Sequence, residues 1–327
     1  MSNTFHPEQL LPLLHRLPAT GRYWLAFSGG LDSTVLLHAL TQLGTALPAP
    51  LSVLHVDHGL SPHSAAWSAR CREQCAARGL SLHEVRVTVE RRQGGVEAAA
   101  RAARYAVFAE RLGAGETLLT AHHQDDQAET LLLQLLRGGG VRGLAAMPPQ
   151  RPFAAGLLAR PLLGFSREAL QAYAEAEGLE WVEDPSNVDT ALERNFLRHE
   201  LLPLLERRRG GMRPLLARSA GHFAEAAGLL DELAVQDLAA VAAQGPGGVA
   251  SLSIAALQGL SVARQRNLLR YWLRTLGLAP PDSRNLQRIL DELLPAARDA
   301  EPLVSWPGAE LRRYRDGLYA MPPLPPL

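Results

Sequence analysis

Leu25-Ala26-Phe27-Ser28-Gly29-Gly30-Leu31-Asp32-Ser33-Thr34-Val35 is the stretch on which the fold reading turns. An apolar run enters a loop of small residues and leaves it as a helical segment, the pattern of a first β-loop-α unit. Outward from it, short β-type runs alternate with helix-length stretches through the first half of the chain. The expected strands are Tyr23 to Phe27, Leu51 to Val56, Leu82 to Val89, Thr117 to Ala121 and Leu157 to Arg160. Helices are expected near Ser33 to Leu43, Ser64 to Arg78, Val96 to Leu112, Asp125 to Arg137 and Ser166 to Glu177. Such alternation implies an α/β domain with a Rossmann-like, mostly parallel sheet and helices on both faces. After the turn signal Asp184-Pro185-Ser186-Asn187, leucine and alanine at helical spacing dominate, so a smaller all-helical domain is expected to follow. The expected organisation is 1–188 for the α/β domain, 189–215 for a connecting helix, 216–320 for the helical domain and 321–327 for a proline-rich tail.

The loop has the chemistry of a phosphate site. Two glycines let backbone N–H groups approach an anion, Ser28 and Ser33 add hydroxyl donors, and the helix N-terminus adds a favourable dipole. Ser28, Gly29, Gly30, Leu31, Asp32 and Ser33 are therefore the candidate binding residues for a di- or polyphosphate. A carboxylate beside phosphate is repulsive unless a cation such as Mg²⁺ lies between them, which makes Asp32 the candidate metal ligand. Asp57 ends the second strand within Leu54-His55-Val56-Asp57-His58-Gly59-Leu60 and is a candidate for lining the nucleotide crevice. A turn cap is its plain alternative.

A third strand-to-helix junction carries Thr120-Ala121-His122-His123-Gln124-Asp125-Asp126-Gln127-Ala128-Glu129-Thr130. His122, Asp126 and Glu129 are spaced by four and three and share a helix face if the helix starts early. Two converging carboxylates make a pocket for a cation, either a metal or an ammonium group. A solvated acidic first turn, favoured at any helix N-terminus, is the third reading. Spacing leaves all three open.

Composition sets outer limits. The chain has 327 residues with 33 acidic and 33 basic side chains, and every basic one is arginine. A lysine-free chain excludes a Walker-type phosphate loop, pyridoxal-phosphate and Schiff-base chemistry, and ligation through an adenylated lysine. Any lysine amine in the reaction must arrive as substrate. With 47% hydrophobic and 20% charged residues the chain can build substantial cores. Cys71 and Cys75 lie four apart in an expected helix, which suits a reduced protein better than a disulfide-bonded one. Met1 to Pro7 lacks a signal-peptide pattern and no run of about 18 apolar residues occurs, so a cytoplasmic protein that spans no membrane is expected. The zero net charge conceals an asymmetry: Arg194 to Arg218 holds seven arginines against Glu200 and Glu206, and Arg264, Arg266, Arg270 and Arg274 lie in an acid-free stretch. Such clusters suit RNA phosphates and bases, with Arg207-Arg208-Arg209 the best candidate for a backbone contact. Solvated helix faces are the alternative.

The Ser-Gly-Gly-x-Asp-Ser string resembles the pyrophosphate loop of the N-type ATP pyrophosphatases. That resemblance implies ATP at the carboxyl ends of the sheet strands. The segment His122 to Thr130 is similar to that of the tRNA(Ile)-lysidine synthetases. Further similarity lies in Glu97 to Tyr105, Arg137 to Leu144, Arg160 to Leu163, Trp181 to Asn187 and Arg194-Asn195-Phe196-Leu197-Arg198. This family resemblance implies that ATP adenylates the C2 oxygen of the cytidine at the first anticodon position of a CAU-bearing isoleucine tRNA, releasing pyrophosphate. The ε-amine of L-lysine then displaces AMP to give lysidine. It further implies that Asp126 and Glu129, with His122, hold the lysine, and that Mg²⁺ assists near Asp32. Arg101 and Arg194 are the candidates for stabilising negative charge on the AMP or pyrophosphate side. The nearest alternative is a tRNA 2-thiolation enzyme, which needs thiols or an iron-sulfur cluster; Cys71 and Cys75 lie outside every motif and read as a buried, inert pair. A catalytically inactive tRNA-binding module is the alternative from another class. Longer family members carry a further C-terminal domain where this chain ends in its proline-rich tail, and the sequence does not set the oligomeric state.

Overall fold

The computed structural model describes residues 4–89, 95–185, 189–245, 248–297, 300 and 302–323, without the side chains of 95–97. Strands β1 (Tyr23–Ala26), β2 (Leu51–Asp57), β3 (Leu82–Arg86), β4 (Thr117–Leu119), β5 (Gln150–Phe153) and β6 (Gly156–Ala159) form one sheet in the order β3-β2-β1-β4-β6-β5. All neighbours pair in parallel except β5, which returns antiparallel on β6 at the edge. Between and after the strands run α1 (Leu11–His15), α2 (Leu31–Leu43), α3 (Ser64–Ala76), α4 (Gly95–Arg111), α5 (Gln124–Leu136), α6 (Val141–Leu144) and α7 (Arg167–Ala176).

Side-chain alternation explains why both faces are covered. Tyr23 and Leu25 of β1 point with Val53, Leu119 and Ala159 into a core shared with Leu36, Leu37 and Leu40 of α2, Cys71 and Cys75 of α3, and Leu170 of α7. Trp24 points the other way, with Leu54, Leu118 and Leu158, against Val107, Phe108 and Leu112 of α4 and its C-terminal end. Strands buried on both sides read as nearly continuous apolar runs, and each leucine fully buried here contributes about 1.5–3 kcal/mol. The order in which successive strands are added to the sheet reverses between β1 and β4, which are themselves parallel. The loops leaving the carboxyl ends of these two strands therefore flank one crevice, the position where open α/β sheets place ligands.

The chain divides into two compact units, Met1–Ala224 and Glu225–Leu327. Residues 189–215, expected as a connector, are counted with the first unit. They form α8 (Glu193–Phe196), a π-helical turn at Leu197–Leu201, α9 (Leu202–Arg208) and the start of α10 (Met212–Val241). Leu197 and Leu202 are buried against Ala128 and Leu132 of α5, which ties this segment to the strand-helix junction after β4.

The second unit contains the expected helices, including α11 (Ile254–Gln258), α12 (Val262–Thr275) and α13 (Ser283–Arg288), but it is not helical throughout. Strands β7 (Ala242–Gln244), β8 (Ala250–Ser253), β9 (Leu303–Trp306), β10 (Ala309–Tyr314) and β11 (Gly317–Met321) build an antiparallel sheet in the order β7-β8-β11-β10-β9. The sheet packs Leu252, Leu311 and Leu318 onto Leu268, Leu269 and Trp272 of α12. The expectation of an all-helical second domain is corrected accordingly. These strands are three to six residues long, and β8 meets β11 only through pairs such as Leu252 with Leu318, a separation that local periodicity does not reveal. Met321 closes β11 opposite Glu310, while 324–327 of the expected tail and Ser186 to Val188 lie outside the described residues. Among the described residues no helix is long and apolar enough to cross a membrane.

Gly156 marks how tightly the sheet edge is built. A Cβ there would collide with the carbonyl oxygen of Glu116 and crowd that of Gly113. Gly156→Ala should destabilise the first unit by about 1–3 kcal/mol, read as a lowered denaturation midpoint; an unchanged midpoint would show that the β4 to β6 edge yields freely.

Candidate active site

The loop after β1 folds as its glycines suggest. Gly29 sits at φ +81°, a conformation open to glycine at little cost, and Gly30 caps α2 with extended backbone. The loop is cross-braced by its own hydroxyls. Ser28 Oγ and Ser33 Oγ lie 3.0 Å apart, the Ser33 hydroxyl donates to the Gly30 carbonyl at 3.0 Å, and the Ser28 N–H donates to Ser33 Oγ at 3.3 Å. The Val182 N–H holds the Gly29 carbonyl at 2.8 Å. Leu31, Asp32 and Ser33 open the first turn of α2, whose N–H groups lack intrahelical acceptors and suit an anion. Beneath the loop the Cys71 thiol fills the space a Gly29 Cβ would enter, at 2.8 Å. Burial pushes Cys71 up to about 12 and Cys75 up to about 11, so both stay protonated. An open cavity of about 460 Å³ between Trp67, Arg70, Trp181 and Val182 adjoins this loop.

The loop after β4 brings its histidines and carboxylates to the same place. His123 is 1% exposed and its Nε2 lies 3.5 Å from both Asp32 Oδ2 and Asp126 Oδ2. Its backbone N–H donates to Asp126 Oδ2 at 2.9 Å, fixing the first turn of α5. Burial by itself would lower His123, but the Asp126 and Asp32 carboxylates outweigh it and lift the imidazole to about 9. His122 behaves oppositely. Burial pushes it down to about 4, helped by the charges of Arg160, Arg101 and Arg194 against the pull of Asp126, so it is neutral at physiological pH. It shares a hydrogen bond of 2.9 Å with Thr120 Oγ1.

Asp126 and Glu129 converge, as their spacing required, but on Arg198. The Arg198 Nε donates to Glu129 Oε1 at 2.7 Å and its Nη2 to Glu129 Oε2 at 3.0 Å, with Asp126 Oδ1 at 3.3 Å. Arg194 stands beside them, with Nε 3.5 Å from Glu129 Oε2 and Nη2 donating to Thr130 Oγ1 at 3.0 Å. Burial, which opposes ionisation of Asp126, is outweighed by His123, His122 and Arg198, and its carboxyl falls below the usual range. Glu129 is 1% exposed; burial raises its carboxyl, and the Arg198 fork opposes that rise. Asp32, His122, His123, Asp126, Glu129, Arg194 and Arg198 thus form one charge cluster spanning the two loops. His123 and Arg198 were not singled out from sequence. The signals were there: His123 precedes Asp126 by three at a helix start, and Arg198 follows Arg194 by four in the same motif.

Other expected site residues lie differently. Asp57 accepts the Gly59 N–H at 2.8 Å and stands 3.6 Å from Arg86 Nε, contacts that cap the turn after β2. Arg101 is exposed and stacks on the Tyr105 ring at 5.0 Å, contributing its field to His122. Among the described residues no group of three or more His, Cys, Asp or Glu side chains could hold a metal unaided. Asp32 nonetheless presents a buried Oδ1 without a hydrogen-bond partner beside the loop, a donor that fits a cation shared with phosphate oxygens. Of the arginine-rich stretch, Arg194, Arg198 and Arg213 pair with carboxylates of the first unit, while Arg207, Arg208, Arg209 and Arg218 are exposed. In the second unit Arg264 pairs with Asp237, Arg274 with Asp231 and Arg266 with Gln287.

Two outcomes follow from this geometry. Gly29→Ala should abolish polyphosphate binding at the loop, and Gly29→Ala combined with Cys71→Ala should recover only part of it, because the second change removes the clash and leaves the φ strain; full recovery would mean that strain is unimportant. His123, raised in the folded chain above its ordinary value near 6.5, stabilises the ligand-free protein fully below about pH 6.5 and loses that contribution, on the order of 3 kcal/mol, as pH rises through about 9. The gap in Tm between wild type and His123→Gln should therefore narrow from about pH 6 to about pH 9.5; a constant gap would contradict a charged imidazole.

Comparison with known proteins gives the family. Residues 5–205 match the family model of the PP-loop domain, and residues 252–319 match that of the TilS substrate binding domain. The chain is 50% identical to a tRNA(Ile)-lysidine synthase of Alkalilimnicola ehrlichii over 97% of its length and 70% of the relative's. It is 49% identical to that of Pseudomonas syringae over 97% of the chain and 71% of the relative, and 44% identical to that of Coxiella burnetii over 96% and 69%. A solved structure, the U34-tRNA thiolase NcsA from Methanococcus maripaludis, superposes with a TM-score of 0.55 over 67% of this chain and 78% of the thiolase. At 17% identity it is alike in fold alone. With a phosphate loop and a buried acidic pair meeting at the switch point, and relatives this similar along nearly its whole length, the chain belongs to the tRNA(Ile)-lysidine synthase family.

Proposed function

We propose that the chain forms lysidine on the CAU anticodon of tRNA(Ile), using ATP to activate the C2 oxygen of the cytidine and L-lysine as the nucleophile. The observation that carries this reading is the single charge cluster in which His123 links Asp32, beside the loop after β1, to Asp126, and Arg198 links Asp126 to Glu129. Two half-reactions, adenylation and amine attack, need their sites this close, because the adenylated cytidine must meet the amine without leaving. The N–H groups of residues 29–33 and the hydroxyls of Ser28 and Ser33 would receive the ATP phosphates. Asp32 would hold Mg²⁺ together with those phosphates, and the ion would offset their charge as pyrophosphate departs.

Oxide is a poor leaving group and AMP a good one, so adenylation opens C2 to attack by a neutral ε-amine. The ammonium must first lose a proton. Glu129, whose carboxyl is raised by burial, suits that task better than His122, whose ring is held down near 4. Neutral His122 is fitted instead to accept a hydrogen bond. Arg101, on the rim, would offset negative charge at the phosphates, whereas Arg194 is drawn toward Glu129 and acts on the lysine side. The exposed Arg207, Arg208 and Arg209 are fitted to RNA phosphates. The buried, protonated Cys71 and Cys75 argue against sulfur transfer. A cytoplasmic setting, where tRNA, ATP and free lysine coexist, is part of this reading.

Release of AMP, and of pyrophosphate beyond one equivalent per enzyme, should require both L-lysine and a CAU-bearing isoleucine tRNA, with lysidine found in the nuclease digest. Asp32→Ala should abolish turnover with tRNA binding kept, and Asp126→Asn or Glu129→Gln should raise the lysine KM by at least about tenfold, as loss of a charge-assisted bond implies. ATP consumption that ignored lysine but followed a sulfur donor would overturn the proposal.

A further inference from the structure

Every carboxylate oxygen of the acidic pair already has a partner. Glu129 Oε1 takes the Arg198 Nε at 2.7 Å, and Glu129 Oε2 takes the Arg198 Nη2 at 3.0 Å with Arg194 Nε at 3.5 Å. Asp126 Oδ1 faces the Arg198 Nη2 at 3.3 Å, and Asp126 Oδ2 takes the His123 N–H at 2.9 Å. Charge is matched as well. Asp126 and Glu129 stand against Arg194 and Arg198. A lysine ammonium added to this set would lie uncompensated beside side chains that are 8% and 1% exposed, which low-polarity surroundings penalise heavily. A cation can enter by exchange far more readily than by addition.

Of the groups around the pair, Arg198 is the one that fills both carboxylates and that an incoming ammonium must replace. His123 is 1% exposed and is fixed through its own backbone N–H. Arg194 is anchored by Thr130 and touches the pair only at 3.5 Å. Arg198 has a side chain 25% exposed and makes its polar contacts to the two carboxylates. Its backbone lies in the π-helical turn Leu197–Leu201, a distortion frequent at functional sites, while Leu197 and Leu202 are anchored in the core around α5. The side chain can therefore swing out while the backbone stays in place.

We propose that the Arg198 guanidinium is the resident occupant of the lysine site, and that L-lysine binds by displacing it from Asp126 and Glu129. This rests on the reading that the acidic pair receives lysine. Arg198 is then a positioning residue: it keeps both carboxylates paired and aimed while the site is without lysine, and it sets the lysine affinity through competition. Apparent affinity is the intrinsic affinity reduced by the fraction of time the pair is free.

The test is the lysine KM of lysidine formation at saturating ATP and tRNA, for wild type, Arg198→Met, Arg198→Lys and Glu129→Gln. Arg198→Met keeps length and apolar contact but removes the competitor, so the KM should fall by roughly tenfold, the change expected if the pair is free one time in ten. Guanidinium ion at non-denaturing, millimolar concentration should then compete with lysine in Arg198→Met and have little effect on wild type, whose site holds its own guanidinium. If Arg198→Met fails to fold, Arg198→Lys carries the test, because a single ammonium cannot fork across Glu129 and the KM should again fall, by less. A KM at or above wild type in the folded variants, with Glu129→Gln raising it, overturns the displacement model and leaves the lysine site standing. A Glu129→Gln KM equal to wild type would overturn the lysine-site reading itself, and displacement with it.

Discussion

Three buried or half-buried carboxylates, Asp32, Asp126 and Glu129, meet at the point where the sheet reverses its strand order, and the local structure depends on their being neutralised. Placing negative charges this close in surroundings of low polarity is strongly unfavourable unless each is paired and hydrogen-bonded. The chain answers with His123, Arg194 and Arg198, drawn from two different segments. His123 comes from the loop after β4 and is held between two carboxylates. The two arginines come from the segment that follows the α/β domain, and the burial of Leu197 and Leu202 on α5 delivers them to the carboxylates.

That arrangement also joins chemistry to architecture. The phosphate loop is rigid because it is braced by Ser28 and Ser33 and backed by Cys71, with Val182 tied to Gly29 from outside. The acidic pair is held in place because the His123 N–H ties Asp126 at the start of α5 and Arg198 forks onto Glu129. Both are attached to strands whose side chains are packed on both faces, so neither depends on a mobile loop for its position. A sheet crevice of this kind admits many reactions, and the charges placed along it select among them.

Legibility in the sequence varied with the range of the interactions involved. The strand-loop-helix unit after β1 was legible because small residues, a strand before and a helix after are all local features, and Gly29 adopts a positive φ. The meeting of Asp126 and Glu129 was legible because a spacing of three on a helix fixes direction, whereas His122 lies before α5 begins at Gln124. Arg198 was not assigned, since its carboxylate partner lies 69 residues away and nothing between them marks the contact. Asp57 reads as a crevice residue with a turn cap as its alternative, and its contact with Gly59 is that of a cap. The small sheet of the second unit escaped notice because β8 and β11 are short and distant in sequence, while the leucine-rich helices around them dominate the periodicity.

By itself the sequence determined the α/β alternation, the glycine loop between β1 and α2, the acidic face of α5 and the absence of any lysine side chain. Each of these is a property of residue type and near-neighbour spacing. Only the tertiary structure decided which charges cancel which: that His123 rather than His122 carries the proton between Asp32 and Asp126, and that Arg198 occupies the acidic pair. The reason is that electrostatic free energy depends on distance and on burial, and both are set by how remote segments pack.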